Sequence, residues 1–462
     1  MSAGSRVIEV DQPTTVEEVR KRVDELGIEF LFAQFVDLHA RPSAKLVPAQ
    51  HLEDLFIDGA GFAGFAAGDI GQNPSSPDLA AMPDAKSFTA VPWQPDLARL
   101  ACDVYVEGKP WPYCPRTILR RQMEVARSKG FVFMMGAEPE FFLLRQQDGK
   151  LQLADLLDTL EKPCYDIRAL TRQYGFISTL SKHENKLGWD NYANDHEDAN
   201  SQFESNFRFS DAVTTADRLI FFRYMVETLA QREGMLATFM PKPFGNLTGN
   251  GCHFHMSLWD AEKGVNLFED PKDSRGFGLS ELAYHFIGGL KKHATAYIAV
   301  TASTVNSYKR LVVGDPTSGA TWAPAFVSYG ANNRTQMLRV PAAGRVEDRT
   351  IDGACNPYLA ATVVLAAGLD GIANKLDSGE PNETNMYEMP AKERKRRKID
   401  LLPANLLDAV RNLEKDDVMR EALGKAVGED YIDYYAGVKR REWQSYHEQV
   451  TEWERDRYLS HV

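Results

Sequence analysis

Glutamates and histidines occur in this chain at the spacing that places side chains on one face of a strand. Glu138 and Glu140 flank a proline in a segment of strand character, and His253 and His255 flank a phenylalanine. Alternate residues of a strand project to the same side of the sheet, so each pair shares a face. Two carboxylates buried side by side need a cation to offset their repulsion. The two pairs therefore predict a metal site.

A third segment has the same periodicity, because Glu347 stands between Arg345 and Arg349 at alternate positions. Carboxylate oxygens and one imidazole are suitable ligands for Mg²⁺ or Mn²⁺, and nearby arginines suit phosphate groups. Together the three segments predict a site for two hard cations and a nucleoside triphosphate.

The composition is that of an ordinary globular protein. The chain has 462 residues, of which 44% are hydrophobic and 26% are charged, which is enough for two or more domains with substantial cores. Its formal net charge of −12 argues against nucleic-acid binding, since that function requires a basic surface. Small-molecule substrates are the better expectation.

Cysteine use and apolar runs indicate the compartment. The five cysteines show no CxxC spacing, which leaves no disulfide framework or thiolate metal site to predict. The first thirty residues contain no apolar segment typical of a signal peptide, and no later run reaches transmembrane length. We therefore expect a cytoplasmic location and no membrane contact.

Glycine and proline punctuation predicts two domains. Short apolar segments separated by these residues predict a small β-rich domain over residues 1–112. Longer helical periods then alternate with strands, which predicts an α+β catalytic domain over residues 113–462. The elements expected there are a helix that ends at Gly130, a strand from Phe131 to Met135, a helix face of Leu219, Phe222, Val226 and Leu229 closed by Gly234, a buried helix from Tyr358 to Leu369, and a solvated basic run over residues 392–398.

Each candidate residue also has an ordinary interpretation when it is taken alone. Glu197 and Glu204 add a further pair of carboxylates, but single glutamates are mostly exposed surface groups. A single histidine is more often a hydrogen-bonded structural residue than a metal ligand. The argument for a site therefore depends on several motifs that occur together.

Several such motifs resemble the glutamine synthetase family, in the same order, from about residue 20 to the end of the chain. They are Glu-Pro-Glu at 138–140, His-Glu-Asp-Ala-Asn-Ser-Gln-Phe-Glu at 196–204, Met-Pro-Lys-Pro at 240–243, His-Phe-His-Met-Ser at 253–257, Asn-Ser-Tyr-Lys-Arg-Leu at 306–311, Asn-Arg-Thr-Gln-Met-Leu-Arg-Val-Pro at 333–341 and Asn-Pro-Tyr-Leu at 356–359. The resemblance implies an α+β fold with a small β-grasp-like N-terminal domain followed by a large catalytic domain.

The resemblance also implies a reaction and the residues that perform it. The reaction is the ATP-dependent joining of the γ-carboxylate of glutamate to an amine through γ-glutamyl phosphate, with Mg²⁺ or Mn²⁺ as two cations per site. The implied ligands of one cation are Glu140, Glu197 and Glu204, and those of the other are Glu138, His253 and Glu347. The implied glutamate-binding residues are Arg310, Arg349 and Gly249, and the implied residues near ATP are His255, Ser257, Arg334, Arg339 and Arg345. Planar guanidiniums suit a reaction that brings two anions together.

The chain departs from the family where ammonium would bind. Ala63 stands in place of an aspartate in the N-terminal domain, and Trp322 stands in place of the acid that precedes Ala-Pro in the loop over glutamate. Thr248 replaces an asparagine that contacts glutamate. Ala and Trp offer apolar surface where an ammonium ion would need polar partners. The changes predict an alkylamine acceptor, with methylamine favoured and Glu197 or Asp315 as the base.

Stretches 162–166 and 318–322 resemble the type III branch of the family, whose members act on methylamine and other small amines. The open alternatives are a glutamine synthetase that uses ammonia, a ligase for ethanolamine, isopropylamine or a polyamine, and a catalytically silent relative, which the retained ligands disfavour. The resemblance also implies a homo-oligomer, a dodecamer in the family, with sites between subunits. Tyr387 aligns with a tyrosine that some members adenylylate, but a surface tyrosine is the simpler expectation.

Overall fold

The N-terminal part of the chain forms a seven-stranded sheet. The computed structural model describes residues 12–313 and 322–460. The strands are β1 (Phe30–Val36), β2 (Pro42–Pro48), β3 (Ala60–Phe62), β4 (Leu79–Pro83), β5 (Thr89–Ala90), β6 (Leu97–Val106) and β7 (Lys109–Pro110), with helices α1 (Val16–Leu26), α2 (Leu52–Asp58) and α3 (Gly64–Ala67). Their order is β2-β1-β6-β4-β3, and β5 and β7 also pair with β6. Only β1 and β6 run parallel within this sheet as described.

A ten-stranded sheet carries the candidate site. Its strands are β8 (Phe131–Gln147), β9 (Lys150–Leu153), β10 (Ala193–His196), β11 (Gln202–Asn206), β12 (Ser210–Asp211), β13 (Leu236–Thr238), β14 (Cys252–Asp260), β15 (Tyr329–Gly330), β16 (Leu338–Arg339) and β17 (Val346–Asp348). The order is β10-β11-β8-β14-β17-β16-β15, and β9, β12 and β13 pair with β8. The long strand β8 therefore organises the sheet.

Helices cover this sheet and extend beyond it. They are α4 (Pro115–Ser128), α5 (Ile167–Arg172), α6 (Tyr174–Lys186), α7 (Ala212–Arg232), α8 (Glu281–Thr301), α9 (Ser307–Arg310), α10 (Pro357–Ala373), α11 (Ala391–Arg396), α12 (Leu406–Leu413), α13 (Asp417–Leu423), α14 (Tyr431–His447) and α15 (Glu452–Tyr458). The α10 helix packs against α8, α4 and α7 at the centre of the core. Every residue of α10 from Pro357 to Leu369 is buried, so apolar side chains occur on all sides of this part of the helix.

Several expectations from the sequence are confirmed. The α+β class with an N-terminal sheet is observed, and residues 358–369 are all buried within α10. The predicted face of α7 is buried at Leu219, Phe222, Val226 and Leu229. No residue of α11, in the basic run, is buried. The predicted boundary at residue 112 falls between β7 and α4, and the division into two domains there stays a prediction.

None of the helices within residues 12–313 and 322–460 combines the length and the apolar character that crossing a bilayer requires.

Candidate active site

Strand register brings the predicted acidic and imidazole side chains together on one face of the ten-stranded sheet. Glu138 of β8 pairs with His253 of β14, and Glu140 pairs with Glu204 of β11. His255 of β14 pairs with Glu347 of β17. Residues directly opposite each other in antiparallel strands share a face, so four strands contribute to one row of ligand-type side chains.

The proline between the two glutamates fits this sheet for a local reason. Proline has no N–H to donate to a strand ladder. Pro139 lies between residues 134–135, which pair with β12, and residues 140–142, which pair with β11. The strand can therefore hold a proline without leaving a ladder bond unmade on that side.

His253 lies at the centre of the row. Its Nδ1 atom is 3.6 Å from carboxylate oxygens of both Glu138 and Glu347, and its Nε2 atom is 3.8 Å from Glu140. Two groups of ligand atoms lie close enough together to hold a metal ion. One contains Glu138, Glu204 and His253, and the other contains Glu138, His255 and Glu347.

The two observed groups differ in membership from the two sets of cation ligands that the family resemblance implies. Glu138 belongs to both groups, Glu204 lies with Glu138 and His253, and His255, which the sequence assigns to ATP, lies within ligand distance of Glu138 and Glu347. Glu140 lies next to Glu204 through strand pairing. The assignment of ligands to two separate cations stays a prediction.

Burial and mutual repulsion raise the pKa values of two carboxylates near β11. Burial, and then repulsion from Glu140, raises the pKa of Glu197 to about 8. Burial, and then repulsion from Glu197, Glu138 and Glu140, raises the pKa of Glu204 well above its ordinary value. Carboxylates in such surroundings become stable anions when a cation binds among them.

On the side toward β17, nearby positive charges instead lower the pKa values of the carboxylates. Burial acts to raise the pKa of Glu138, but His255 and His253 outweigh it and lower the pKa. Burial also acts to raise the pKa of Glu347. The charge of Arg349, followed by those of the two histidines, outweighs burial and lowers this pKa. Nε2 of His255 is 2.8 Å from Glu138, and Oε2 of Glu347 is 2.7 Å from Nη1 of Arg339. Neither ring nitrogen of His255 nor that oxygen has hydrogen-bond geometry with a partner among the described residues. Such buried polar atoms fit a bound divalent cation.

Glu140 accepts hydrogen bonds from two residues for which the sequence motifs predicted no role. Its Oε2 atom accepts from the backbone N–H of Gly251 at 2.8 Å and from the Gln202 amide at 2.9 Å. The same amide contacts the Gly249 carbonyl and Asn250. Gln202 lies within the 196–204 motif. A polar side chain at that position was the one sequence feature that could have indicated a contact with the site.

The glycines in this region allow the backbone to approach closely. A Cβ atom on Gly251 would lie 2.6 Å from Nε2 of His253 and 2.8 Å from Glu140. A Cβ atom on Gly249 would lie 2.1 Å from the carbonyl oxygen of Pro241. Any side chain at either position would therefore displace the surrounding residues.

The two arginines predicted to bind glutamate are buried and partly engaged. Nη2 of Arg310 donates to the carbonyl of Arg349 at 2.8 Å, and Nη1 donates to the carbonyl of Thr350 at 3.2 Å. Burial lowers the pKa of Arg310. Nη1 of Arg349 donates to Glu347 at 2.9 Å, while its buried Nε has no hydrogen-bond partner among the described residues.

A cavity of about 410 Å³ opens beside Glu138, His255, Ser257 and Arg345. Aromatic side chains, including Phe209 and Trp259, line it as well. The lining thus combines charged and polar side chains, which suit phosphates, with apolar surface, which suits a nucleobase.

The remaining predicted residues occupy different positions. Nη1 of Arg339 is 2.7 Å from Glu347. Arg334 is exposed and lies near Tyr165, where burial raises the pKa of the tyrosine to about 12 and the Arg334 charge opposes the shift. Ala63 is exposed at the start of α3 in the N-terminal sheet. Asp315 lies outside the described residues.

Tyr387 differs from the expectation of a surface tyrosine. Its ring is partly buried, and its hydroxyl donates to the carbonyl of Ala323 at 3.0 Å. Aromatic character alone did not reveal this contact, because the two residues are 64 positions apart.

Comparison with known proteins gives matches over nearly the full chain. The family model for the glutamine synthetase catalytic domain matches residues 112–458. A glutamate–methylamine ligase of Methyloversatilis universalis is 47% identical over 96% of this chain and 98% of its own length. A glutamine synthetase of Rhizobium meliloti is 45% identical over 93% of this chain and 96% of its own length.

Solved structures give similar results. One described as a GmaS/ADP complex superposes with a TM-score of 0.89 at 47% identity, over 96% of this chain and 99% of the other. One described as apo GmaS without ligand gives a TM-score of 0.87 at 45% identity, over the same shares.

Proposed function

This chain belongs to the glutamine synthetase family, and we propose that it is an ATP-dependent ligase that joins the γ-carboxylate of glutamate to a small amine, methylamine in preference to ammonia. The observation that carries the proposal is the near full-length match to a glutamate–methylamine ligase. The row of carboxylates and imidazoles beside a nucleotide-sized cavity supports the same chemistry.

The reaction proceeds in two steps. An oxygen of the glutamate γ-carboxylate attacks the γ-phosphorus of ATP, which forms γ-glutamyl phosphate and releases ADP. The amine nitrogen then attacks the carbonyl carbon of this acyl phosphate, phosphate leaves, and the nitrogen loses a proton to a base. Glu197 is proposed as that base, with Asp315 as the alternative. Water must be excluded meanwhile, because it would hydrolyse the acyl phosphate.

The chain uses ATP and a divalent metal, and we propose two Mg²⁺ or Mn²⁺ ions per site. Glu140, Glu197 and Glu204 would hold one ion, and Glu138, His253 and Glu347 the other. Bound there, the ions would supply positive charge that reduces the repulsion between the phosphates and the glutamate carboxylate.

The protein's own groups would bind and orient the two anionic substrates. Arg310 and Arg349 would bind the carboxylates of glutamate, beside the close backbone approach at Gly249. His255, Ser257, Arg339 and Arg345 would contact ATP, and Arg334 would stabilise the phosphoryl group in transfer. The buried Nε of Arg349 is a donor that a substrate carboxylate could use.

The acceptor is proposed from two apolar replacements. Ala63 and Trp322 remove acidic groups that would favour ammonium and add surface for a carbon substituent. Ethanolamine, isopropylamine and polyamines are the other amines to consider. Glutamine synthesis from ammonia is the second candidate, because glutamine synthetases match the chain almost as well.

Assembly into a homo-oligomer with sites between subunits, as in the family's dodecamers, is part of the proposal. The exposed position of Ala63 and the exposed Phe65 beside it would allow this segment to meet a second copy.

The test is phosphate release with glutamate, ATP and a panel of amines. We expect the catalytic efficiency for methylamine to exceed that for ammonia by roughly tenfold to two-hundredfold, which is the discrimination that one methyl group allows. Ala63→Asp should shift the ratio toward ammonia. A parent enzyme that favours ammonia would contradict the proposal.

A further inference from the structure

Trp322 occupies a strained and exposed position at the edge of the site. Its backbone φ is 64°, in the left-handed region that bulky residues rarely adopt. Its side chain nevertheless remains 45% exposed. A large ring held in this conformation without being buried must be fixed by specific contacts, and the exposed face is available to a ligand.

Asp198 provides one such contact. The indole Nε1–H of Trp322 donates to Oδ2 of Asp198 at 3.0 Å. The hydroxyl of Thr248 donates to the same oxygen at 3.2 Å. One carboxylate oxygen thus joins two positions at which the chain departs from its family, Thr248 and Trp322.

The same aspartate is joined to the proposed base. Its backbone N–H donates to Oε2 of Glu197 at 3.1 Å. Asp198 therefore links the two residues through two hydrogen bonds: its side chain accepts from the indole of Trp322, and its backbone donates to the carboxylate of Glu197. The indole lies at the side of the site where the amine would lose its proton.

The residue after Trp322 makes a separate hydrogen bond. The carbonyl of Ala323 accepts from the hydroxyl of Tyr387 at 3.0 Å. Burial raises the pKa of Tyr387, and Arg349 and Arg310 oppose the shift, so the ring lies near both guanidiniums. The 322–323 segment therefore connects the Glu197 side of the site to the arginines proposed to bind glutamate.

We propose that Asp198 is a positioning residue that holds Trp322 as a wall of the amine subsite, where the indole face contacts the alkyl group of an alkylammonium ion. This proposal rests on the proposed function. An indole face attracts both a cation and the methyl group it carries, whereas ammonium offers no carbon substituent. The Asp198 and Trp322 pair then sets the preference between the two amines.

The test compares single and double variants of the full-length enzyme. Asp198→Ala removes the acceptor, so the methylamine-to-ammonia efficiency ratio should fall by about tenfold through a higher KM for methylamine. The KM values for glutamate and ATP should stay as in the parent. Asp198→Asn retains an oxygen acceptor and should restore the parent ratio.

Trp322→Phe keeps a ring but removes the indole N–H, and it should lower the ratio in the same way. Because Trp322 is exposed, this variant is expected to fold. Combining Trp322→Phe with Asp198→Ala should add little further loss, since both changes break one interaction. Trp453→Phe, at an exposed tryptophan in α15, is the matched control and should leave the ratio unchanged.

The outcomes separate this inference from the proposed function. If the parent uses ammonia better than methylamine, the proposed function fails. If the parent favours methylamine but Asp198→Ala and Trp322→Phe leave the ratio unchanged, the positioning role is wrong and the function stands. Equal losses with both amines, or additive losses in the double variant, would also overturn the role of Asp198 as a support for Trp322.

Discussion

At the scale of single residues, Glu140 combines a proposed catalytic role with a structural one. Only 6% of the residue is exposed, and its carboxylate accepts two hydrogen bonds. Removing the side chain would leave the Gly251 N–H and the Gln202 amide without their acceptor. Glu140→Gln is therefore a better test than Glu140→Ala.

We predict that Glu140→Gln lowers turnover by at least about 100-fold, more than the usual cost of losing a group that only supports a metal ligand. The amide oxygen can still accept from Gly251, so circular dichroism and the melting temperature should change little. The assignment would be rejected by near-parental turnover at ordinary Mg²⁺ concentrations.

Arg349 gives a second prediction at this scale. Arg349→Lys retains a positive charge near Glu347 but cannot reproduce the planar fork that binds a carboxylate through two bonds. The KM for glutamate should rise by roughly tenfold, with a smaller change in the KM for ATP. Arg345→Lys, at the cavity, should give the opposite pattern. Steady-state kinetics with each substrate varied will decide, and equal effects on both substrates would contradict the assignment.

At the scale of elements, α6 supports the strand that carries Glu204. Glu184 of α6 is fully buried, and its carboxylate oxygens lie 2.9 and 3.0 Å from Oγ of Ser205 in β11. The same hydroxyl also contacts Asn194 at 2.8 Å. One hydroxyl proton cannot serve both acceptors, so a protonated Glu184 would satisfy the group.

Burial raises the pKa of Glu184 from 4.5 to about 8. The folded protein therefore keeps a proton that the unfolded chain releases, and this stabilisation, complete below about pH 4.5, is lost as the pH rises toward 8. The loss is about 1.4 kcal/mol per pH unit. We predict that Glu184→Gln, which stays neutral, gains melting temperature relative to the parent between pH 5 and pH 8.

The control for that experiment is Glu421→Gln, at an exposed position in α13. Its melting temperature should follow the parent at every pH. A constant difference between Glu184→Gln and the parent across the range would show that Glu184 keeps its charge when folded.

The elements also show what the sequence could and could not predict. The alternation at Glu138 and Glu140 and at His253 and His255 was sufficient to place each pair on one strand face. Pairing of Glu140 with Glu204 follows from register between distant strands, and local periodicity carries no information about register.

Side-chain contacts between distant segments were the harder part. The residues joined by the hydrogen bond from Trp322 to Asp198 are 124 positions apart in the sequence. Neither residue, taken alone, indicates the other as its partner. The resemblance to a known family supplied the roles that local patterns could not, including those of Arg310 and Arg339. The departures at Thr248 and Trp322 were visible in the sequence, but their common partner was not.

At the scale of the whole molecule, Arg116 joins the two sheets. It is buried in α4 and contacts Asp84 at 2.7 Å and Asp103 at 3.1 Å, both in the N-terminal part of the chain. It also contacts Asp217 of α7 at 3.0 Å. Arg120 also contacts Asp84 and Asp103, so removing the Arg116 guanidinium would chiefly leave the buried Asp217 carboxylate without its ion-pair partner.

We predict that Arg116→Met destabilises the protein by about 3 to 5 kcal/mol, because a buried ionic group loses its partner. Arg396→Met is the matched control, since Arg396 pairs with Glu393 on an exposed helix and should cost less than about 1 kcal/mol. Urea unfolding of both variants provides the comparison, and similar midpoints would contradict a role for Arg116 at the junction.

The pairing of four strands in the ligand row also has a consequence for how the protein is made. The row begins at Glu138 and is completed only by Glu347, which pairs with His255. A ribosome must therefore have added three quarters of the chain before the last acidic group of the row exists. The group of Glu138, Glu204 and His253 exists once residue 253 has been added, whereas the group of Glu138, His255 and Glu347 must wait for residue 347. All of these residues follow the N-terminal sheet in the chain, so a metal ion held by them cannot act as a template while that sheet is being synthesised.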